Sequence, residues 1–224
     1  VIPIVALVSC GRSPPASPPP PPPAAPCALV AKLGAGLPVP RDASRACHDG
    51  DRAACVEGCE GSTAYACYAL ARLDDHDQAA AARSLRRACE LGAARACSEL
   101  GALAHDLAHE VDRQSIDETR DPSIAGIDLR CAAGLFEVAC TAREPVGCAR
   151  LGRAYVEGRG VERRPARGRT ILEAACDRIG GEPCLALAEL LAGDALGPPS
   201  PDEAARARAR ACDTGVTAAC AARK

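Results

Sequence analysis

The stretch CARLGRAYVEGRGVERRPARGRTILEAACDRIGGEPC, residues 148–184, decides the fold. Cys148, Leu151, Gly152 and Tyr155 fall at i, i+3, i+4 and i+7, which is one face of an α-helix. Gly158 and Gly160 end that helix, because glycine tolerates the left-handed backbone found at helix C-termini. Pro165 suits the first turn of a second helix. The apolar face of that helix is Ile171, Leu172, Ala175 and Cys176. Gly180-Gly181 stops it, and Pro183 opens the next one. The stretch therefore reads as one helical hairpin and the entry to another. The following unit repeats the plan, with Ser200-Pro201-Asp202-Glu203 as a capping box.

Outward from this unit, the cysteines recur at a fixed interval. Cys47/Cys55, Cys59/Cys67, Cys89/Cys97, Cys140/Cys148, Cys176/Cys184 and Cys212/Cys220 are each eight residues apart. The first members of the last three pairs lie at 140, 176 and 212, a period of 36. A period of this size marks a stacked array of supersecondary units. The upstream half is irregular. Cys97 to Cys140 spans 43 residues against 28 from Cys148 to Cys176, and the 15-residue excess falls near 106–125, rich in Asp and Glu. Cys59 follows Cys55 by only four positions, so no hairpin fits there. Cys27 is expected to begin a degenerate unit, with Val30 and Ala31 where Leu151 and Gly152 fall.

The run Leu151-Gly152-x2-Tyr155-x2-Gly158-x-Gly160-Val161, with Ala175-Cys176 and Cys184, resembles the cysteine-rich branch of the Sel-one-like repeat family, a relative of the tetratricopeptide repeat. The resemblance covers about residues 27–224 and is specific between 140 and 220. It implies an all-α fold: a right-handed α/α solenoid of disulfide-linked helical hairpins, irregular over 27–139 and regular over 140–224. It also implies a concave face formed by the first helix of each hairpin. In each Cys-x7-Cys unit the first Cys ends one helix and the second begins the next. Two antiparallel helix ends joined by a tight turn bring their Cα atoms to the ~5.5 Å that a disulfide needs. The expected bridges are Cys47–Cys55, Cys59–Cys67, Cys89–Cys97, Cys140–Cys148, Cys176–Cys184 and Cys212–Cys220. Closing each such loop stabilises by roughly 2.5 kcal/mol through the entropy of the unfolded chain. Zinc is the competing reading, but it favours Cys-x2-4-Cys spacing, which only Cys55 and Cys59 approach. Cys27 and Cys131 are left over, bonded to each other or free, and Cys131 competes with Cys148 for Cys140.

Composition sets the compartment. Of 224 residues 15 are cysteine; aromatics are 2%, with no Trp and no Met. The 48% hydrophobic content is largely Ala and Cys, and such a core buries little area per residue. Disulfides then substitute for a thin core, which needs an oxidising compartment. A net charge of −2 argues against nucleic-acid binding, which wants a basic excess. No stretch reaches the ~18 apolar residues of a membrane-spanning helix.

Residues 1–10 supply an address. The apolar run Val1–Val8 leads into Leu7-Val8-Ser9-Cys10-Gly11, which resembles a bacterial lipobox, although no basic residue precedes it. The resemblance implies a lipid on Cys10. Gly11 stands where an inner-membrane retention signal has Asp, so the expected location is the outer membrane or periplasm. Residues 11–26, GRSPPASPPPPPPAAP, form a stiff polyproline II spacer between anchor and solenoid.

Candidate chemistry is sparse. Some cysteine-rich members of the family are described as β-lactam-binding or β-lactamase-like, which gives the enzymatic alternative. Acyl enzymes of that kind need Ser-x-x-Lys, and no Ser here has Lys at that spacing. His105 and His109 share a helix face like a zinc-protease motif with Asp106 after the first His, a weak metal candidate lacking a third ligand. Seven arginines lie between 150 and 169, of which Arg150 and Arg153 fall on the groove side of a first helix. They are candidates for binding an acidic partner, against the plainer reading of a solvated face paired with Glu157 and Glu162. The sequence calls for no cofactor. Its best functional reading is a cell-envelope scaffold that binds a protein or peptide on its concave face.

Overall fold

The computed structural model describes residues 27–34, 36–74, 76–111 and 128–221, without the side chains of 107–111. These residues form α1 (Ala28–Leu33), α2 (Arg45–His48), α3 (Arg52–Glu60), α4 (Ala64–Leu73), α5 (Gln78–Glu90), α6 (Ala94–Val111), α7 (Leu129–Thr141), α8 (Pro145–Glu157), α9 (Pro165–Arg178), α10 (Glu182–Ala192), α11 (Pro201–Asp213) and α12 (Thr217–Cys220). No strand occurs among them. Hairpins α4–α5, α6–α7, α8–α9 and α10–α11 stack in chain order. The lipobox segment and Pro-rich spacer lie outside the described residues, as do residues 112–127 of the acidic insertion.

The turns between hairpins explain the cysteine spacing. After α5, the Gly92 N–H donates to the Cys89 carbonyl at 3.0 Å and the Ala93 N–H to the Ala88 carbonyl at 2.9 Å. Gly92 is left-handed, with φ of 103°. The same pair of bonds closes α2, α3, α7 and α11, with Gly50, Ser62, Arg143 and Gly215 in the left-handed place. The residue after each of these, namely Asp51, Thr63, Glu144 and Val216, is already the N-cap of the next helix. The second Cys then lies one turn inside that helix, facing back toward the first. All six eight-residue pairs are bonded, with Cα–Cα distances from 4.4 to 4.9 Å. The turn after α9 departs slightly: the helix runs further, and Gly180 and Gly181 are both left-handed before α10.

Within hairpins, glycine sets the distance. A Cβ on Gly152 of α8 would sit 2.4 Å from Leu172 Cγ of α9, and one on Gly101 of α6 would sit 2.7 Å from Phe136 Cε1 of α7. Both glycines lie four residues after the second Cys of a pair, behind a buried Leu (Leu151 and Leu100). Leu100, Leu135 and Leu172 are the largest sealed side chains; much of the remaining core is Ala and Cys. The N-terminal ends read from the sequence hold at Pro165, in the first turn of α9, and Gly158 is the left-handed C-cap of α8. The capping box at Ser200 does not form. Ser200 stands at the N-cap of α11 without a side-chain bond; its N–H donates to the Leu191 carbonyl at 2.8 Å, and Glu203 meets Arg169 of α9 at 2.7 Å.

Upstream, no hairpin separates Cys55 from Cys59, as expected, while the reading of Cys27 changes. Cys55 and Cys59 both lie in α3, a nine-residue helix bonded to α2 at one end and to α4 at the other. Cys27 does not open a repeat. It is bonded to Cys131 of α7, 104 residues away, and α1 packs on α7 instead of stacking before α2. Leu29 and Leu33 are buried there, and Val30 fills the space that Gly134 leaves. Lys32 pairs with Glu90 of α5 at 3.2 Å. The chain then runs back along the stack. Pro38 rests on Gly92, and the Arg41 carbonyl accepts from the Tyr65 N–H at 3.2 Å. Residues 27–34 and 36–43 are thus a strap across two hairpins, α6–α7 and α4–α5.

Gly92 and Gly215 separate two effects. Both need the left-handed backbone, but a Cβ at Gly92 would lie 2.1 Å from the Pro38 carbonyl while one at Gly215 meets open space. Urea denaturation is expected to show Gly215→Ala costing about 1 kcal/mol. Gly92→Ala should cost about 1–3 kcal/mol more, because the strap must shift.

Candidate functional site on the inner helix face

The first helices lie on the tighter side of the stack. α6 packs directly on α8, and α8 on α10, whereas α7 and α9 are parted by a cleft. The inner side is therefore faced by α4, α6, α8 and α10, as the concave-groove geometry requires.

A polar lattice joins these helices. Tyr68 Oη of α4 donates to Glu99 Oε1 of α6 at 2.8 Å. Arg95 Nε donates to the same oxygen at 2.9 Å, and its Nη1 reaches Glu144 Oε1 at 3.2 Å. Glu144 is only 8% exposed yet fully partnered. As N-cap of α8 it accepts from the Val146 and Gly147 N–H groups, and from Ser98 Oγ of α6. Further along, Arg153 of α8 pairs with Glu189 of α10. These bonds cross from one hairpin to the next, so they fix the curvature of the face as well as its charge pattern.

The local field shifts two groups. Burial and the hydrogen bond to Glu99 raise the Tyr68 pKa above that of an ordinary tyrosine. Burial opposes the Arg95 charge, but the Glu99 hydrogen bond and the Glu144 and Glu99 carboxylates outweigh it, and its pKa is raised.

The residues singled out from sequence are placed as follows. Arg150 and Arg153 are both on α8; Arg153 is held by Glu189, and the Arg150 guanidinium lies 5.9 Å from the centre of the Phe136 ring. Four others of the seven arginines are also engaged. Arg159 meets Glu157 at 2.9 Å, Arg164 meets Glu162, and Arg169 meets Glu173 and Glu203. Arg167 stacks on Tyr155 at 4.5 Å. His105 is 20% exposed, with Nε2 3.0 Å from Arg159 Nη1 and Nδ1 3.4 Å from Asp106. A guanidinium occupying the imidazole lone pair disfavours a metal cation there. The His109 side chain lies outside the described residues, as does Cys10. Among the described residues no cluster of three His, Cys, Asp or Glu is arranged to hold a metal. Ser98, although beside a carboxylate, is 0% exposed and donates to Glu144, so it presents no nucleophile to a β-lactam.

Sequence reasoning did not single out Tyr68, Arg95, Ser98, Glu99 or Glu144. One signal was present: Glu144 directly precedes Pro145, as an N-cap precedes a first-turn proline.

Glu144→Ala is expected to cost about 3 kcal/mol in urea denaturation, because it removes a helix cap and one partner of a buried pair. Ser98→Ala should cost about 1 kcal/mol, and the double variant no more than Glu144→Ala alone, since both remove the same bond. The raised Tyr68 pKa means that its share of stability is present below the ordinary tyrosine pKa of ~10 and lost as pH rises through the folded-state value. Ultraviolet titration of tyrosinate should show that late-ionising group vanish in Tyr68→Phe and ionise earlier in Glu99→Gln.

No protein-family model matches the sequence, and no curated protein matches it. Among solved structures, the chain is similar to a Sel1 repeat protein from Oxalobacter formigenes, with TM-score 0.59 and 19% identity, covering 75% of this chain and 64% of that one. It is similar to a protective antigen of uropathogenic Escherichia coli strains that displays an SLR fold, with TM-score 0.55 and 14% identity, covering 78% of this chain and 37% of that one. Helicobacter pylori cysteine rich protein B superposes less well, with TM-score 0.41 at 24% identity over 58% of this chain and 86% of its own, and adds no weight. The chain thus spans less than two thirds of the length of either of the first two proteins. Stacked hairpins, the 36-residue period and these two superpositions agree that the chain has the Sel1-like repeat fold, an α/α solenoid of disulfide-linked helical hairpins.

Proposed function

We propose that the protein is a non-catalytic scaffold that binds a protein or peptide partner on its inner face, held in the bacterial cell envelope by a lipid on Cys10. The observation that carries the binding role is the lattice from Tyr68 to Glu189. Side chains of four successive first helices lock one another into a fixed pattern of alternating charge. Pre-organised polar side chains on a rigid face give specificity with little ordering cost on binding. Arg150 lies on this face with no carboxylate partner among the described residues, and Tyr65 takes the register position of Arg95 in the preceding hairpin. Together they offer a cation and an aromatic, two residue types enriched where interfaces carry their energy.

The envelope location rests on chemistry. Seven disulfides suit an oxidising environment. No helix among the described residues is long and apolar enough to cross a membrane. The lipobox-like Leu7-Val8-Ser9-Cys10 and the proline rod over 11–26 supply an anchor and a spacer that hold the solenoid clear of the bilayer.

A photo-crosslinking residue at Tyr65 or Arg150 is expected to capture one discrete envelope partner, while the same residue at Arg206 on α11 captures none. Arg150→Glu should abolish the capture; equal capture from α11, or indifference to Arg150→Glu, would refute an inner-face site. Metabolic labelling with a fatty acid should mark the wild-type protein and not Cys10→Ser.

A further inference from the structure

The outer side of the stack has grooves between successive second helices, and all but one are bridged by a polar contact or occupied by α1. Between α3 and α5, Arg87 donates to Ser62 at 2.9 Å. Between α5 and α7 lies α1, its leucines buried and Lys32 paired with Glu90 at the rim. Between α9 and α11, Arg169 meets Glu203 at 2.7 Å and Arg210 meets Asp177 at 2.8 Å. Between α7 and α9 no hydrogen bond or ion pair passes among the described residues. A cleft of about 510 Å³ remains there.

The charge of this cleft is unbalanced. Arg167 and Arg178 stand on α9, and Arg143 just beyond the end of α7; none has a carboxylate partner among the described residues. Glu137 is the one acidic side chain lining the cleft. The floor is apolar, from Leu151 and Ile171, and Thr170 and Ala174 keep the α9 wall low. Every bridged groove matches its cation to an acceptor on the facing element; here Arg167 stacks on Tyr155 and Arg178 donates to the Ala174 carbonyl of its own helix, and neither is paired with a carboxylate. Arg167 and Arg178 are eleven residues apart, on one face of α9 and about 16 Å apart along its axis. That is too far for one small anion to touch both.

We propose that the α7–α9 cleft docks a short amphipathic helix of a partner protein, with carboxylates about three turns apart and small apolar side chains between them. The neighbouring groove supplies the precedent in this molecule. There α1 buries Leu29 and Leu33 against the same α7, with a single ion pair at the rim. The sign of the rim is reversed in the next groove, so its occupant is acidic where α1 is basic. This site is on the opposite side from the inner face, and the inner-face reading stands or falls without it.

The test is selection of a displayed library of random peptides, about 16 residues long, on the purified, oxidised full chain. The expected result is enrichment of helical sequences with Asp or Glu pairs about eleven residues apart. Synthetic copies should bind at least tenfold more weakly to an Arg167→Glu/Arg178→Glu variant of unchanged melting temperature. Lysine-for-acid copies should regain binding on that variant. Enrichment without acidic pairs, equal binding to the variant, or undiminished binding of copies broken by a central proline would overturn the proposal. Inorganic phosphate binding that depends on the arginines, with no peptide enriched, would make the cleft an anion subsite and also overturn it. Self-association of the wild type that the variant loses would name a second copy as the occupant, and would equally refute a foreign helix.

Discussion

Between consecutive hairpins one residue serves two helices. Asp51, Thr63, Glu144 and Val216 each donate the bond that seals one helix and stand as N-cap of the next. No slack remains in such a turn, so the two helix axes leave it at a set angle and the flanking cysteines always face each other. The disulfide then locks a geometry that the backbone has already adopted, and the Cys-x7-Cys interval follows from counting residues through the turn. After α9 the helix runs one residue further at the same cysteine interval, and two left-handed glycines in succession make the turn. Stacking inherits this rigidity: when every turn is alike, each hairpin meets the last in nearly the same orientation.

Thin packing is the complement of rigid turns. Gly101 and Gly152 bring the helices of a hairpin so close that Leu100, Leu135 and Leu172 suffice to fill the centre, with Ala and Cys around them. A chain with so few aromatics stays ordered because backbone approach replaces side-chain bulk. The polar lattice on the inner face adds direction. It passes from Tyr68 through Glu99 and Arg95 to Glu144, and therefore couples hairpins whose apolar contact alone would let them slide.

Signals carried within a few residues were legible in the sequence. The helix face of Leu151 and Tyr155, the left-handed stop at Gly158 and the first-turn Pro165 depend only on local sterics, and each is found where it was read. Ser200 shows the limit of local reading: its N–H donates to the Leu191 carbonyl, and its expected capping partner Glu203 meets Arg169, 34 residues earlier. Ser98 and Glu144, 46 residues apart, carry no mark that would join them. Arg153 and Glu189 differ. They are 36 residues apart, one full period, and hold the same register in adjacent units, so alignment of the repeats against each other would have paired them. Cys27 and Cys131 stood out as the two cysteines left over and free to pair, but nothing local marked the segment after Cys27 as a strap that runs back along the stack.

That strap imposes an order on oxidation. With Cys10 set aside for the proposed lipid, a chain emerging N-terminus first presents Cys27, then Cys47, Cys55 and Cys59, long before Cys131. Were neighbours joined as they appeared, Cys27 would take Cys47, Cys55 would take Cys59, and the pairing would run out of phase as far as Cys131, where the count comes right again. The native pattern requires Cys27 to stay reduced, or to surrender a wrong bond by thiol exchange, until more than a hundred residues have followed it. One distant bridge thus turns six self-contained local closures into a parity problem, which only a proofreading step or a protected thiol resolves.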